Sequence, residues 1–168
     1  MLYNILKLEV GLIFLSINKM ENKKAFTLIE ILLVIGIIIL LAGAIIVAVN
    51  PGRQFAKARN TKRKTDTTAI LNAIVQNMVD NQGSWKCNAV PSLPTTTTVI
   101  ATPGGVDLAP CLVPNYLPKM PLDPQQGTQD QATGAYNSGY NLRYDPATGR
   151  IEVCAPYAEL DEQICTQK

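Results

Sequence analysis

Histidine is absent from the 168-residue chain. A Ser-His-Asp triad needs an imidazole base, and many zinc sites use imidazole ligands, so neither that triad nor His-ligated zinc can be built within this chain. The chain also contains no C-x-x-C pair and no N-x-S/T sequon. The missing C-x-x-C spacing argues against a thioredoxin-type redox site. The absence of histidine weighs against an enzyme.

Charge is also nearly absent from one long block of the chain. The total of 15 Lys and Arg against 13 Asp and Glu gives a net charge of +2, too small by itself to indicate a nucleic-acid partner. Residues 26–49 read FTLIEILLVIGIIILLAGAIIVAV, and Glu30 is their only charge. At 1.5 Å per residue, a helix over this run is about 36 Å long and exceeds a hydrocarbon core of about 30 Å. The run therefore predicts a membrane-spanning helix.

Glu30 is the unusual residue of this run. An ionised carboxylate in a membrane-spanning segment costs about 2.5–3.5 kcal/mol or more unless it is paired. Lys23 and Lys24 lie upstream, beyond the i,i+4 spacing at which helical side chains pair. Glu30 therefore either reaches the membrane interface or has its partner on another molecule.

The start of the run carries a specific signature. The stretch KKAFTLIEILLVIGI resembles the processing and methylation signature of the type IV pilin and type II secretion pseudopilin superfamily. The resemblance implies that prepilin peptidase cuts between Ala25 and Phe26 and that the new amine of Phe26 is methylated. It also implies that Glu30 pairs with the Phe26 amine of a neighbouring subunit. The family prefers Gly before the cut, and Ala25 is small enough for processing to be expected. An ordinary signal anchor with an isolated Glu is the alternative.

Residues 1–25 then form a leader that the mature chain lacks. Met20 begins MENKKA, which has the length and charge of a prepilin leader. Translation that starts at Met20, with residues 1–19 assigned to the chain in error, is the simplest interpretation. A long natural leader is the alternative.

Helical periodicity resumes after residue 50. An apolar stripe is formed by Ile70, Ile74 and Met78 together with Leu71, Val75 and Val79, and the polar side by Asn72, Gln76 and Asp80. Gly83 is placed to end the helix, whereas Asn50-Pro51-Gly52 disfavours regular helix. We predict one long helix over residues 26–81, bent or locally unwound near Pro51. Its first half, 26–49, spans the membrane, and its second half, within 50–83, is amphipathic. Two helices joined by a hinge are the alternative.

A basic cluster lies in the first turns of the second half. It has six cations and no acid: Arg53, Lys57, Arg59, Lys62, Arg63 and Lys64. The positive-inside tendency would place this flank in the cytoplasm, whereas the resemblance places it outside. A solvated or subunit-pairing face, opposite acids such as Asp66, Asp80 or Glu159 of neighbours, is favoured over binding to DNA or anionic lipid headgroups.

Residues 84–168 are predicted to form a small head. The Pro- and Thr-rich stretch after Ser84 indicates an irregular loop with at most one short strand. Residues 139–156 predict a β-hairpin, because apolar residues alternate on both sides of the turn that runs from Asp145 to Gly149. The apolar face of this hairpin can cover the helical stripe. The predicted fold class is α+β, with a long N-terminal helix and a small antiparallel β-sheet head packed on its amphipathic half.

The segment YLPKMPLDP resembles one that follows the helix and its loop in major pseudopilins and in many small pilins. A nearby loop can bind calcium in such pseudopilins. The acids in this region are Asp107, Asp123 and Asp130, and their spacing is not that of an EF-hand. No metal and no cofactor is therefore predicted.

Four cysteines, Cys87, Cys111, Cys154 and Cys165, allow three pairings. An even number in an exported domain indicates two disulfides. The pairing of Cys87 with Cys111 and of Cys154 with Cys165 is favoured, because each bond is local and closes one loop. Free thiols are the alternative.

The expected function is that of a structural subunit, not an enzyme. The resemblance implies a pilin of a type IV pilus or related filament, with like subunits, prepilin peptidase, an assembly platform and membrane lipid as partners. A DNA partner has little support beyond the basic cluster. The head is expected outside the cytoplasm, on a single-pass anchor before assembly and on an extracellular or periplasmic filament afterwards. A major pseudopilin of a type II secretion system is one alternative, and a membrane-anchored binding domain or enzyme is the other.

Overall fold

The computed structural model describes residues 26–48 and 50–168. They belong to two compact units, with the boundary between Val49 and Asn50. The predicted leader, residues 1–25 with the cleavage position Ala25, lies outside the described residues, as does Val49 at the end of the predicted spanning run.

The first unit contains helix α1, Leu28–Ala48. Its stretch Leu28–Ile46 is long and apolar enough to cross a membrane, and none of it is buried by other parts of the chain. A helix satisfies its backbone polar groups internally, as a hydrocarbon environment requires. Within the described residues this is the one helix compatible with single-pass membrane anchoring.

The second unit begins at Asn50, which interrupts the predicted long helix. Asn50 is extended, with φ −68° and ψ 102°, and its side chain accepts a hydrogen bond from the Arg53 N–H at 3.2 Å. Pro51 occupies the first helical turn, where a missing N–H costs no hydrogen bond. Helix α2 therefore starts afresh at Pro51 and runs to Asp80.

One face of α2 is buried along most of its length. Ile70, Leu71 and Ile74 are buried, as the apolar stripe predicts, and Asn72, Gln76 and Asp80 are exposed. The prediction is wrong for Val79, whose side chain is 69% exposed near the end of the helix. The buried face also extends towards the N-terminus through Ala56, Asn60, Arg63 and Thr67. Alternating steps of four and three residues place these positions on the same side as Ile70 and Ile74.

Helix α2 ends in a left-handed turn. Asn81 is the C-cap, and Gln82 and Gly83 follow with φ values of 58° and 86°. The Gly83 N–H donates to the Met78 carbonyl oxygen at 2.8 Å. Gln82 rather than Gly83 thus occupies the first left-handed position of this Schellman-type turn.

The head is a five-stranded antiparallel sheet with one short helix. The strands are β1 (Thr98–Thr102), β2 (Thr128–Gln129), β3 (Tyr136–Asp145), β4 (Arg150–Ala155) and β5 (Ile164–Gln167). Their order is β1-β3-β4-β5, and β2 also pairs with β3. Helix α3 covers Ala109–Leu112. The predicted hairpin is present as β3 and β4, whereas β5 was not expected.

The sheet packs against α2 and forms one core with it. Tyr140, Leu142, Ile151 and Val153 of the hairpin are buried in the same cluster as Ile70 and Ile74. Full burial of one such aliphatic side chain contributes about 1.5–3 kcal/mol. The α+β fold class, with the sheet packed on the amphipathic helix, is thus confirmed.

Two turns of the same sequence pattern, D-x-A-T-G, flank β3. In the first, Asp130 accepts hydrogen bonds from the Ala132 N–H at 2.9 Å and the Thr133 hydroxyl at 2.7 Å. In the second, Asp145 accepts the matching bonds from Ala147 and Thr148 at 3.0 and 2.9 Å. Each turn ends in a glycine of positive φ, Gly134 or Gly149, a conformation that glycine adopts without a steric penalty.

The structure contains both of the favoured local disulfides. Cys87 in the loop after α2 is bonded to Cys111 in α3, and Cys154 in β4 is bonded to Cys165 directly opposite in β5. The bonds join residues 24 and 11 positions apart. On the chain-entropy model, loops of this size are each stabilised by about 3 kcal/mol.

Candidate functional site

The start of α1 carries the residues predicted to direct assembly. The Glu30 N–H donates to the Thr27 carbonyl oxygen at 3.1 Å and to the Thr27 hydroxyl oxygen at 3.2 Å. Thr27 therefore caps the helix, and the T-x-x-E spacing is that of a capping box. The Glu30 carboxylate lies in the first turn, where the positive end of the helix dipole favours an anion.

Glu30 and Phe26 are both exposed, four positions apart in the chain. Within residues 26–48 and 50–168, no Lys or Arg pairs with Glu30. The predicted partner, the Phe26 amine of a neighbouring subunit, is a contact between chains and stays a prediction.

The apolar side chains of α1 are not covered by any other described residues. Every side chain that the structure describes in this helix is exposed, including the bulky Leu, Ile and Val residues. A helix that is apolar all round is stable in lipid or among other apolar helices, and not in water. This surface is therefore compatible with a membrane or a bundle of neighbouring helices.

In the second unit, charged groups converge on Arg63, which is fully buried in α2. Its Nε and Nη2 donate to the two carboxylate oxygens of Asp123 at 2.7 and 3.3 Å. Its Nη2 also donates to Gln125 at 2.9 Å, and its Nη1 donates to Asn60 and Glu159, each at 3.0 Å. These bonds engage all five N–H donors of a guanidinium.

Asp123 is held just as closely. Its Oδ1 accepts hydrogen bonds from the Gln125 and Gln126 N–H groups, both at 2.9 Å. Gly139, at φ 75° in β3, lies against it so closely that a Cβ on this glycine would stand 2.6 Å from the Asp123 Cβ. The loop that contains Asp123, Gln125 and Gln126, called the Asp123 loop below, is thus built around one buried carboxylate.

The opposite charges of Arg63 and Asp123 offset the cost of burying each group. Burial alone disfavours the carboxylate form, but the Arg63 guanidinium and the two backbone N–H groups outweigh it and lower the pKa of Asp123 below its ordinary value. Burial likewise opposes the charge of Arg63, and its bonds to Asp123 and Glu159 raise its pKa.

Glu159 fastens the loop between β4 and β5 to α2. Its carboxylate accepts two hydrogen bonds from Arg59, at 2.6 and 2.7 Å, and its backbone exchanges two with the Asn60 side chain. The Arg59 bonds outweigh desolvation and, with help from Arg63, lower the pKa of Glu159 to about 2. Lys64 pairs with Glu162 in the same loop at 2.7 Å. The Cys154–Cys165 disulfide closes this loop at its base.

A second cluster lies on the same helix, in which Asp66 and Tyr140 are buried and Lys62 is exposed. The Tyr140 hydroxyl donates to Asp66 at 2.8 Å, and Lys62 pairs with Asp66 at 2.7 Å. Burial, with the neighbouring Asp66 carboxylate, raises the pKa of Tyr140 above its ordinary value.

These contacts correct the expectation for the basic cluster. Arg59, Lys62, Arg63 and Lys64 do not await acids of neighbouring subunits, because each is paired with an acid of its own chain. The expectation treated all six cations alike, whereas Arg59, Arg63 and Lys64 pair with acids of the head and Lys62 pairs with Asp66 of α2 itself. Arg63 belongs to the buried face, so its charge required partners from the same fold.

The paired groups fasten the head to α2. Within the described residues, no buried side-chain nitrogen or oxygen lacks a hydrogen-bond partner. Glu152, Cys154 and Cys165 lie close enough together to suggest metal ligands, but both sulfurs are committed to the disulfide and cannot supply thiolates.

The comparisons with known proteins add no family. Neither the family models, nor the curated proteins, nor the solved structures gave a match to this chain.

Proposed function

We propose that the chain is a pilin, a structural subunit of a type IV pilus or related extracellular filament, and that it does not act as an enzyme. The observation that carries the proposal is α1, an apolar helix exposed on all sides with a single carboxylate, Glu30, in its first turn. The signature around Ala25 and Phe26 adds the processing step.

The proposed mechanism is assembly. The subunit waits in the membrane on α1, loses its leader, and moves α1 from lipid into a bundle of like helices. Lipid and protein contacts are similarly apolar, so packing alone does not fix how far neighbouring helices are shifted along one another. The ion pair between Glu30 and the Phe26 amine of a neighbour supplies that register.

The head is suited to the outside of such a filament. Two disulfides are typical of proteins in oxidising compartments. The ion pairs of Arg63 and Glu159 further fasten the sheet and its loops to α2. We therefore propose a single-pass membrane precursor with its head outside the cytoplasm.

A major pseudopilin of a type II secretion system is the second candidate. It is supported by the segment YLPKMPLDP, whose Asp123 is anchored by Arg63 in α2. The two candidates share the same helix chemistry and differ in where the filament ends, in the periplasm or outside the cell.

Replacement of Glu30 tests the proposal. Glu30→Ala should insert into the membrane at least as well as the native chain, because a carboxylate is costly there. It should assemble poorly, because the Phe26 amine of a neighbour is then left unpaired in an apolar bundle. Membrane fractions and sheared filaments are blotted side by side.

Glu30→Asp is the matched control, since it keeps the charge and shortens the side chain by one methylene. It should retain more filament than Glu30→Ala. A filament yield of Glu30→Ala equal to that of the native chain would remove the intersubunit ion pair from the proposal.

A further inference from the structure

Two cations of the basic cluster stand apart from the other four. Arg59, Lys62, Arg63 and Lys64 are paired with acids of their own chain. Arg53 and Lys57 take part in no ion pair of the described residues, and both are exposed in the first two turns of α2. Neither charge is therefore held in an ion pair of the described residues, although Glu162 lies within electrostatic range of Lys57.

An exposed aromatic side chain accompanies these cations. Phe55 lies between them in the chain and is 64% exposed. We call Arg53, Phe55 and Lys57 the basal surface.

The covalent chain keeps the start of this surface near the membrane. Arg53 follows the last residue of α1, Ala48, by five positions. Even fully extended, five residues span no more than about 18 Å. The headgroup layer is about 5–8 Å thick on each side of the hydrocarbon core, and an arginine side chain adds reach of its own. When α1 spans a bilayer, the Arg53 guanidinium is thus held close to the lipid headgroups.

We propose that the basal surface binds anionic phospholipid headgroups while the subunit is anchored in the membrane. Arg53 and Lys57 supply the positive charge that attracts acidic lipid. Phe55 supplies an aromatic side chain that fits the boundary between headgroups and acyl chains. The inference rests on the membrane-anchored stage of the proposed function and not on filament formation.

A tryptophan introduced in place of Phe55 reports the contact. The full chain with Phe55→Trp is placed in lipid nanodiscs whose acyl chains are brominated close to the headgroup, so that bromine quenches a nearby indole. The parent chain, with Trp85 alone, gives the background. Quenching should be at least about twofold stronger in discs containing phosphatidylglycerol than in phosphatidylcholine discs. The difference should vanish at about 1 M salt, where the Debye length is about 3 Å.

Charge variants assign the effect to this surface. Arg53→Gln combined with Lys57→Gln should reduce the quenching in anionic discs to the level found in phosphatidylcholine. Lys86→Gln combined with Lys119→Gln removes the same charge from exposed positions outside the basal surface and should leave the quenching unchanged.

Two results would overturn the inference. One is equal quenching in both kinds of disc at low salt. The other is a change in the emission of the introduced tryptophan that appears in detergent without anionic lipid and grows with protein concentration. Such a change would mean that a second copy of the chain, and not lipid, covers the basal surface. Neither result involves filament yield, so failure here is distinguishable from failure of the assembly proposal.

Discussion

Arg63 shows how one residue can organise the attachment of the head. Its guanidinium joins α2 to the Asp123 loop and to the Glu159 loop, and all of its donors are used. A lysine has three donors and no planar fork, so it could not reproduce the paired bonds to Asp123. The ion pair between Arg63 and Asp123 is also fully buried, so loss of either partner leaves an unpaired buried charge.

Arg63→Ala should therefore lower the free energy of unfolding by about 3–5 kcal/mol, because Asp123 is left buried without its cation. Arg63→Met combined with Asp123→Leu should recover much of that loss. Lys62→Ala removes a half-exposed i,i+4 partner and should cost less than about 1 kcal/mol. Urea unfolding of the detergent-solubilised chain measures all three. An Arg63→Ala loss no larger than that of Lys62→Ala would contradict the buried role.

Glu159 gives a prediction for acid. Its pKa is about 2 in the fold against an ordinary value of 4.5, so the fold favours the ionised carboxylate. The stability that this group contributes is present above pH 4.5 and is lost as the pH falls from 4.5 towards 2. The difference in unfolding free energy between the native chain and Glu159→Gln should shrink over that window. If the unfolding free energies of the two proteins differ by the same amount throughout this pH window, the Arg59 contact is not the cause of the lowered pKa of Glu159.

At the scale of elements, the apolar half of the buried face of α2 was predictable and the polar half was not. Ile70 and Ile74 stand out by type, whereas Asn60, Arg63 and Thr67 resemble a solvated surface. Their spacing, in steps of three and four from Ile70, is the signal that could have shown them. The partner of Arg63 could not be found this way, because Asp123 lies 60 positions away and the fold alone brings them together.

The strands of the sheet were also only partly predictable from the sequence. The hairpin was visible as two alternating runs around a turn. Strand β5 has four residues, too few for alternation to be recognised, and its place is set by the register opposite β4. The D-x-A-T-G turn before β3 could have been found by its identity with the one after it. The close approach of Gly139 to Asp123 has no local signal at all.

Two glycines separate backbone strain from close packing. Gly139 and Gly149 both have positive φ, 75° and 71°, so alanine at either position costs about 1–2 kcal/mol of backbone strain. At Gly149 the added methyl group meets open space, whereas at Gly139 it collides with Asp123. Gly139→Ala should therefore lower the melting temperature clearly more than Gly149→Ala. Equal losses would show that the Asp123 loop yields to the methyl group.

At the scale of the whole molecule, the chain joins a helix that needs an apolar environment to a head that is fastened internally. The sequence alone indicated this division, since the apolar run and the cysteine pattern are both local signals. It could not indicate which surfaces meet between copies, because a single chain carries only one half of each such contact.

The predicted cleavage after Ala25 can be tested at that position. Ala25→Gly should be cut at least as efficiently as the native chain, and Ala25→Leu should accumulate as precursor, because a cleft shaped for a small residue resists a branched side chain. Co-expression with a prepilin peptidase, followed by mass analysis of the N-terminus, measures the cut. Normal maturation of Ala25→Leu, or a native N-terminus other than Phe26, would contradict the predicted processing.

The all-round apolar surface of α1 has a consequence for symmetry. A self-complementary patch joins two copies about a twofold axis and is then occupied. A helix without one distinguished face still offers apolar surface after its first neighbour is bound. A pair between Glu30 of one copy and Phe26 of the next, without the reciprocal pair back to the first copy, makes the contact heterologous. Where the rotation between copies does not close a ring, such contacts propagate as a helix, and subunit supply sets the length of the assembly.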